Sequence, residues 1–599
     1  MNRIISICLF LLIAVITIAV FYPSISADFY LDDFGSIAQN ALIKPPVDYS
    51  KLIDFYGLRS LAYTIFSFEY SLFADDPFGY HLASLAIHLV NVALLFLLLN
   101  ALLKSRDRYI IENESLQSNT TNSTEAYRVS AALLGASLFA IHPQNTQTAI
   151  YIVQQIASIA TLFSLISIYS YIQLRSSEYR IARYGWATLT LLSFLLAMLS
   201  KQNTIVVPVI WLLIEWLVFK QYHKQMVFIY GALVLLLLLA LSIMKGSVED
   251  AILLIDGFTR ENKELSRWHY FITQLKVIGH YITQYFYPVD LRLEYDFEIK
   301  KSLSNVELGW VTFHSLAIIS VLLVRKRLPL VALGVISYYV FHIVESSIIP
   351  IRDVAFEHRT YLPNIGFSLC LAALSYMVMS KYKPKTYMVT LCAILVLAPL
   401  ALASHQRAEL WADKFAFYEH EISLSKRNPR AYLSLGNMHI QKGNCPMAVS
   451  YFDHALALYK QAHKSNLGSQ PELFQSYANC LFKLGLQQDA FNILDQLAKQ
   501  VKTQKHKASV LAQKARMLMD LKLHRKAKAL LVKAYRFDNK NLAVLVNLAI
   551  CEAVLKNFKA AKFLLESALI VNPDHKMTKD LLAKVNRVLS SQVKAQPKS

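Results

Sequence analysis

Charge is scarce in this sequence. Asp, Glu, Lys and Arg make up 17% of its 599 residues and hydrophobic types 55%, a balance that excludes a purely soluble chain, which carries about 25% charged residues. Most of the chain is therefore expected in a bilayer. Acid is scarcer than base, with 41 Asp+Glu against 61 Lys+Arg. In a soluble protein that surplus would suggest nucleic acid, but here many cations fall in short loops between apolar runs, where they set topology; no nucleic-acid partner is expected. Cysteine is rare too. Three of the six lie in apolar segments (Cys8, Cys370, Cys392) and three in the C-terminal part (Cys445, Cys480, Cys551). With no CxxC and no metal-ligand spacing, the reading is no disulfide framework and no zinc site.

What is present is a series of apolar runs. The first, residues 4–22 behind Arg3, is long enough to span a bilayer at roughly 20 residues. Ser24-Ile25-Ser26-Ala27 would also suit a signal-peptide cleavage site, but the many runs that follow favour an uncleaved anchor. They lie near 81–103, 129–143, 149–172, 184–200, 203–219, 226–244, 310–324, 328–345, 360–379 and 386–404, giving about eleven spans. With a cytoplasmic N-terminus, the inside loops hold Lys104, Arg106, Arg108 and Arg128, then Arg175, Arg180 and Arg183, then Lys220 and Lys224, then Arg325, Lys326 and Arg327, then Lys381, Lys383 and Lys385. The positive-inside rule thus places everything after residue 404 on the outer face. The sequons at Asn113, Asn119 and Asn122 fall inside and read as a polar spacer. Residues 55–73, and an aromatic run from Trp268 to Phe286 ended by Pro288, read as amphipathic helices at the membrane surface; the second either anchors its loop or covers a groove for a lipid substrate.

The stretch Asp28-Phe29-Tyr30-Leu31-Asp32-Asp33 follows the first run. Ionised Asp is costly to move toward hydrocarbon, so an adjacent pair at the mouth of a span points to a reaction at the membrane surface; such a pair can also simply cap a helix. After Trp411 the hydropathy falls and a repeat begins. Leu435-Gly436, Ala448, Phe452 and Ala455 fit a two-helix tetratricopeptide unit, and Ala490, Ala527 and Ala561 take the place of Ala448 in later units, the last step matching the ~34-residue period. Extra loops are expected around Gly468 and near Lys502 to Lys507. The domains are read as 1–404 in the membrane, 405–428 a linker, 429–590 about four repeats, and 591–599 a flexible tail. The fold class is all-α: a polytopic helical membrane domain followed by an α-solenoid.

Several fragments, each weak alone, occur in a specific order: Tyr30-Leu31-Asp32-Asp33 with Ile37 and Asn40, Tyr80-His81-Leu82, Leu138-Phe139-Ala140-Ile141-His142-Pro143, Leu199-Ser200-Lys201-Gln202-Asn203, and Phe356-Glu357-His358-Arg359 with Tyr361-Leu362-Pro363. With the repeats behind them, the chain resembles the transmembrane and tetratricopeptide-repeat O-mannosyltransferases, in particular their bacterial branch, of the GT-C class of glycosyltransferases. The resemblance implies an acidic residue of the first outer loop as catalytic base, a polyprenyl-phosphate sugar as donor and, in some members, a divalent cation. The chain departs from the family at Gln202, where a Glu is common, and at Gln155, where an Arg is common; if those charges matter there, the donor differs here or the activity is lower.

Transfer of a sugar from a lipid phosphate to a hydroxyl needs a base, positive charge for the departing phosphate and room for a lipid tail. Asp32 or Asp33 would be the base, worth ~10²–10⁴-fold, and the same carboxylates would be the hard ligands of Mg or Mn if a divalent cation is used. Lys201 and Arg359 are the candidates for the donor phosphate, although Lys201 would also suit a cation snorkelling to the headgroups. His81, His142, Glu357 and His358 are supporting residues: the histidines chiefly as hydrogen-bonding groups, Glu357 as a local ion-pair partner or as the group that orients Arg359. The repeats carry no catalytic constellation, and their Lys499, Lys502, Lys505 and Lys507 would form a solvated face or dock an acidic protein or anionic headgroups. The expected protein is a membrane glycosyltransferase acting on Ser/Thr of exported proteins that the repeats dock, in contact with membrane lipids, in a bacterial inner membrane with the repeats in the periplasm. A non-catalytic repeat scaffold and a transferase acting on glycans or lipids are the alternatives.

Overall fold

Apolar runs bounded by cationic loops become helices, because a backbone crossing hydrocarbon must satisfy its own hydrogen bonds. In the computed structural model, residues 3–114, 122–220, 265–351, 353–461 and 467–594 are described. They are all-helical, with no strand among the described residues. Two compact units result, Met1–Phe417 and Tyr418–Ser599.

In the first unit, eight described helices are long and apolar enough to cross a membrane. This is fewer than the sequence suggests, for identifiable reasons. The run at 226–244 lies outside the described residues. The run at 129–143 is the apolar end of a helix, Asn122–Ile141, whose first turns are polar, and the run at 328–345 is a shorter apolar helix, Pro329–His342. This short helix crosses Ile365–Tyr382 through a pair of glycines: a Cβ on Gly366 would lie 2.3 Å from the Gly334 carbonyl oxygen. Small residues of this kind let helices in a bilayer approach closely.

Both segments expected at the membrane surface form helices. The first is broken into Tyr49–Tyr56 and Ser60–Phe73. The second, Arg267–Phe286, starts where the Ser266 side chain accepts from the His269 N–H; it buries Tyr270, Val277 and Tyr281 while Trp268 and Phe286 stay exposed. Residues 405–428, expected as a linker, are mostly helical: the helix from Thr386 runs on to Ala412, and Lys414–Leu424 follows.

The second unit stacks four helix pairs, beginning Pro429–Gln441 with Cys445–Gln461 and ending Leu542–Val554 with Phe558–Val571, before a last helix Lys576–Lys594. Ala448, Ala490, Ala527 and Ala561 are fully buried, as expected where small side chains let paired helices meet. The loop expected near Lys502 to Lys507 is instead mainly the first turn of Gln504–Asp520, because the Thr503 side chain caps it by accepting from the His506 N–H. The sequons fall among residues 109–123, whose side chains lie outside the described residues.

The cysteine reading is corrected as well. Cys445 and Cys480 form a disulfide, joining the second helix of one pair to the first helix of the next. Local spacing gives no hint of it, because the two residues are 35 apart and meet only when successive repeats stack. Cys8, Cys370, Cys392 and Cys551 are free.

Candidate functional site

The acidic stretch turns sharply after the first span. Leu31 sits at φ +25°, an uncommon conformation for a branched residue that marks a constrained turn. The turn gives the two carboxylates different surroundings. Asp33 is buried, and its Oδ2 and Oδ1 accept from the N–H groups of Tyr30 (2.9 Å) and Val153 (2.7 Å). Burial pushes its carboxyl up to about 8, against the pull of those N–H groups. Asp32 is exposed, and its own N–H donates to the Tyr151 hydroxyl at 2.9 Å. Asp33 fastens the turn to the segment before the helix Gln155–Ser176, while Asp32 is exposed.

Neighbours hold the turn from behind. Tyr30 packs between Trp411 and Phe417 and donates to the Trp411 carbonyl. His81 Nε2 lies 3.0 Å from the Ala27 carbonyl, while His88, fully buried, bridges the Tyr361 hydroxyl and the Ala140 carbonyl. Lys414 pairs with Asp28 at 2.7 Å.

A second centre gathers basic groups from three segments and an acid, Glu345, from a fourth. The Lys201 ammonium, 8% exposed, lies 2.8 Å from Glu345 Oε1, and the Asn203 amide donates to Glu345 Oε2 at 2.9 Å. No other acceptor among the described residues reaches this ammonium, although it carries three donors. Burial pulls the Lys201 pKa below its ordinary value; Glu345 resists, and nearby Arg59 and Arg359 lower it further. Arg59 Nε donates to Gln202 Oε1 at 3.3 Å, at a point where the Leu61 N–H also donates to the Leu199 carbonyl. Arg359, 4% exposed, donates to the carbonyls of Asp353 and Val354. Burial, reinforced by Lys201, Arg359 and Arg59, holds His358 well below the ordinary histidine value, so its imidazole is neutral at physiological pH.

The other expected residues are held by contacts of their own. Glu357 does not orient Arg359. It is fully buried against Arg407, and its other oxygen accepts from the Tyr295 hydroxyl and the Arg292 N–H; Arg407 also donates to the Pro143 carbonyl. This ties the helix Thr386–Ala412 to the loops around Pro143, Arg292 and Glu357. His142 stacks on Tyr285 at 4.1 Å and contacts its carbonyl at 2.9 Å.

Tyr151, Arg59, Glu345 and Arg407 escaped the sequence reading as partners. The signals available were a Glu and two Arg at the ends of apolar or amphipathic runs, where an ionised side chain needs a partner. Among the described residues, no three His, Cys, Asp or Glu side chains converge on one point, and each Asp33 oxygen accepts a backbone N–H.

A tetratricopeptide-repeat family model matches residues 518–585. Over 193 residues, 30% of this chain, the sequence is 28% identical to the protein O-mannosyl-transferase Tmtc3 of Drosophila melanogaster, of which the match covers 20%; the chain thus spans about a fifth of that relative's length. Solved structures with some likeness include YrrB, a TPR protein with an unusual peptide-binding site (18% identity, TM-score 0.24, 34% of this chain and 94% of that one). The APC/C hetero-tetramer Cut9–Hcn1 is another (14% identity, TM-score 0.25, 78% of this chain and 85% of that one). The protein is therefore an all-helical membrane protein with tetratricopeptide repeats, part of which is similar to a protein O-mannosyl-transferase.

Proposed function

We propose that the protein is a GT-C type glycosyltransferase that moves a sugar from a polyprenyl-phosphate donor to Ser/Thr hydroxyls of exported proteins. The observation that carries this reading is the division of labour in the acidic turn, where Asp33 is locked by two backbone N–H groups so that Asp32 stands exposed on a rigid support. A carboxylate so placed suits a general base. Asp32 takes the proton of the acceptor hydroxyl, the hydroxyl oxygen bonds to the anomeric carbon, and the bond from that carbon to the phosphate oxygen breaks. The phosphate leaves with one more negative charge than it had in the donor. Lys201 and Arg359 supply the positive charge that this step needs, in a buried setting where it counts for more than in water. His358, neutral beside them, offers a hydrogen bond without adding charge; His81 and His142 hold the backbone around the turn and the outer loops, and Glu357 anchors the loop that carries Arg359.

If Mg or Mn takes part, the Asp32 and Asp33 carboxylates would be the residues to hold it, exposed Asp32 the more accessible of the two, and it would supply positive charge to the departing phosphate. The steps above are carried by the side chains alone.

The repeats dock the acceptor, as stacked helix pairs present extended surfaces to peptides. We place them in the periplasm of a bacterial inner membrane, with the N-terminus cytoplasmic. The loop cations support that orientation, and so does the Cys445–Cys480 disulfide, a bond that persists in oxidising compartments.

Intact protein masses from cells lacking the chain, then restored with either the native chain or Asp32→Asn at equal membrane abundance, test the reading. A sugar increment on exported proteins restored only by the native chain is expected. Equal restoration by both would remove Asp32 from the chemistry and favour a scaffold. No mass change on any protein would shift the acceptor to glycans or lipids.

A further inference from the structure

Almost the whole of the chain's formal charge of +20 falls after Phe417, in the repeat unit, where Lys and Arg outnumber Asp and Glu more than two to one. One helix shows the surplus most sharply. In His524–Phe537 every charged residue is basic: Arg525, Lys526, Lys528, Lys533 and Arg536. The buried side of this helix, Ala527, Leu531 and Ala534, packs in the repeat core. Its opposite side forms an open groove of about 350 Å³ lined by Arg525, Lys528, Ala529, Val532, Lys533 and Arg536, six positions that 3.6 residues per turn bring onto one face.

Arg525 with Lys528, and Lys533 with Arg536, are neighbours three residues apart along the helix, where like charges repel and weaken it. Glu552 of the next helix, Leu542–Val554, relieves Lys528 at 2.8 Å. Arg525, Lys533 and Arg536 are exposed and have no ion-pair partner among the described residues. The two cation pairs are offset by eight residues, about 12 Å along the axis, with Ala529 and Val532 between them. An extended chain covers that distance in four residues, about 13 Å, and turns its first, third and fifth side chains to one side.

We propose that this face of His524–Phe537 docks an extended acidic segment of the acceptor protein, with two acids four residues apart and an apolar side chain midway between them. The acids meet the two cation pairs, and the apolar side chain rests on Ala529 and Val532. This rests on the reading that the repeats dock the acceptor, and it names what they recognise. A bilayer surface offers anionic groups at no fixed spacing and has no use for an apolar floor between the cations. Nucleic acid would want aromatic side chains for its bases to stack on, and none lines the groove.

The purified full chain in neutral detergent is titrated with a dye-labelled, Ser-containing peptide that has Glu at its first and fifth central positions and Leu at the third, read by fluorescence anisotropy. Binding is expected to fall with added salt and to be about 10-fold weaker for the Gln analogue, with an isomer whose two Glu are adjacent also weaker than the spaced peptide. Arg525→Gln/Lys533→Gln/Arg536→Gln is expected to lose about 10-fold. Lys576→Gln/Lys584→Gln/Arg587→Gln, which removes as much charge from the last helix, is expected to leave binding unchanged. Equal losses in the two triple variants, or equal binding of spaced and adjacent Glu, would overturn the proposal. Phosphatidylglycerol micelles that bind through the same three cations, where the peptide does not bind, would give the face to headgroups instead. If the first triple variant does not fold, Ala529→Glu decides: an acid set between the pairs satisfies them along the helix and is expected to weaken peptide binding several-fold, and unchanged affinity would count against the groove. Sugar transfer to the same peptide separates this from the reading beneath it. The triple variant in the groove is expected to raise KM and keep kcat, whereas a native chain that binds the peptide but transfers no sugar to it would sink the acceptor reading and leave the docking face standing.

Discussion

The two units of this protein differ in how much charge they bury. The membrane unit presents Leu, Ile and Phe outward, as on the helix Asn305–Val324, and keeps Asp33, Lys201, Glu357, Arg359 and Arg407 inside. The repeat unit keeps Ala448, Ala490, Ala527 and Ala561 inside with Leu and Phe packed about them, and puts most of its lysines outside. Helices in water are driven together by apolar burial, so small residues and leucines suffice. Between helices in lipid that drive is missing, and packing and polar contacts take its place. Some of the charge buried in the first unit has a structural partner, as Glu357 has in Arg407, and some stands among like charges, as Lys201 does near Arg59 and Arg359. Most charge on the second unit stands in water and needs no buried partner.

The comparison can be broken most severely at the buried pair. Arg407→Ala leaves Glu357 charged, buried and unpaired, and is expected to cost about 3–5 kcal/mol of stability in the membrane unit; thermal unfolding in detergent measures it, and a loss below 1 kcal/mol would show that water reaches the pair. Cys445→Ser with Cys480→Ser acts on the repeat unit alone and is expected to cost about 2–4 kcal/mol. In the native chain, alkylation without reductant should label only Cys8, Cys370, Cys392 and Cys551 after denaturation. Ala527→Leu overfills the contact between paired repeat helices, with an expected loss of about 1–3 kcal/mol and no change in donor binding.

The smallest expected effect concerns Glu69, an acid buried in the surface helix Ser60–Phe73 with one oxygen lacking a partner. Burial pushes its pKa from 4.5 to about 8. Between those values the folded chain holds a proton that the unfolded chain has released, so the acid's contribution to stability falls as pH rises and is gone above about 8. Glu69→Gln should flatten that fall in melting temperature and, near neutral pH, stabilise the unit by about 1 kcal/mol. A native pH profile already flat between 5 and 8 would show that Glu69 is ionised throughout.

Local pattern carried much of this in advance. The helix Arg267–Phe286 announces itself by aromatic spacing and Pro288, the repeats by their alanines, and the acidic turn by charge at the mouth of an apolar run. The assignments within the centres were not local. Asp32 and Asp33 are neighbours with the same side chain, and the distant Val153 N–H and Tyr151 hydroxyl help give them different surroundings. Glu345 meets Asn203 across 142 residues, and Glu357 finds Arg407 across 50 rather than its neighbour Arg359. No helical or repeat period encodes such pairings; they arise when segments pack.

The most direct test of the central claim is transfer by the purified full chain from a polyprenyl-phosphate sugar to a Ser/Thr-containing acceptor protein, comparing native and Asp32→Asn. The account predicts transfer by the native chain and a loss of about 10²–10⁴-fold in Asp32→Asn, with polyprenyl phosphate still bound and melting temperature unchanged. Equal transfer by the two chains would contradict it.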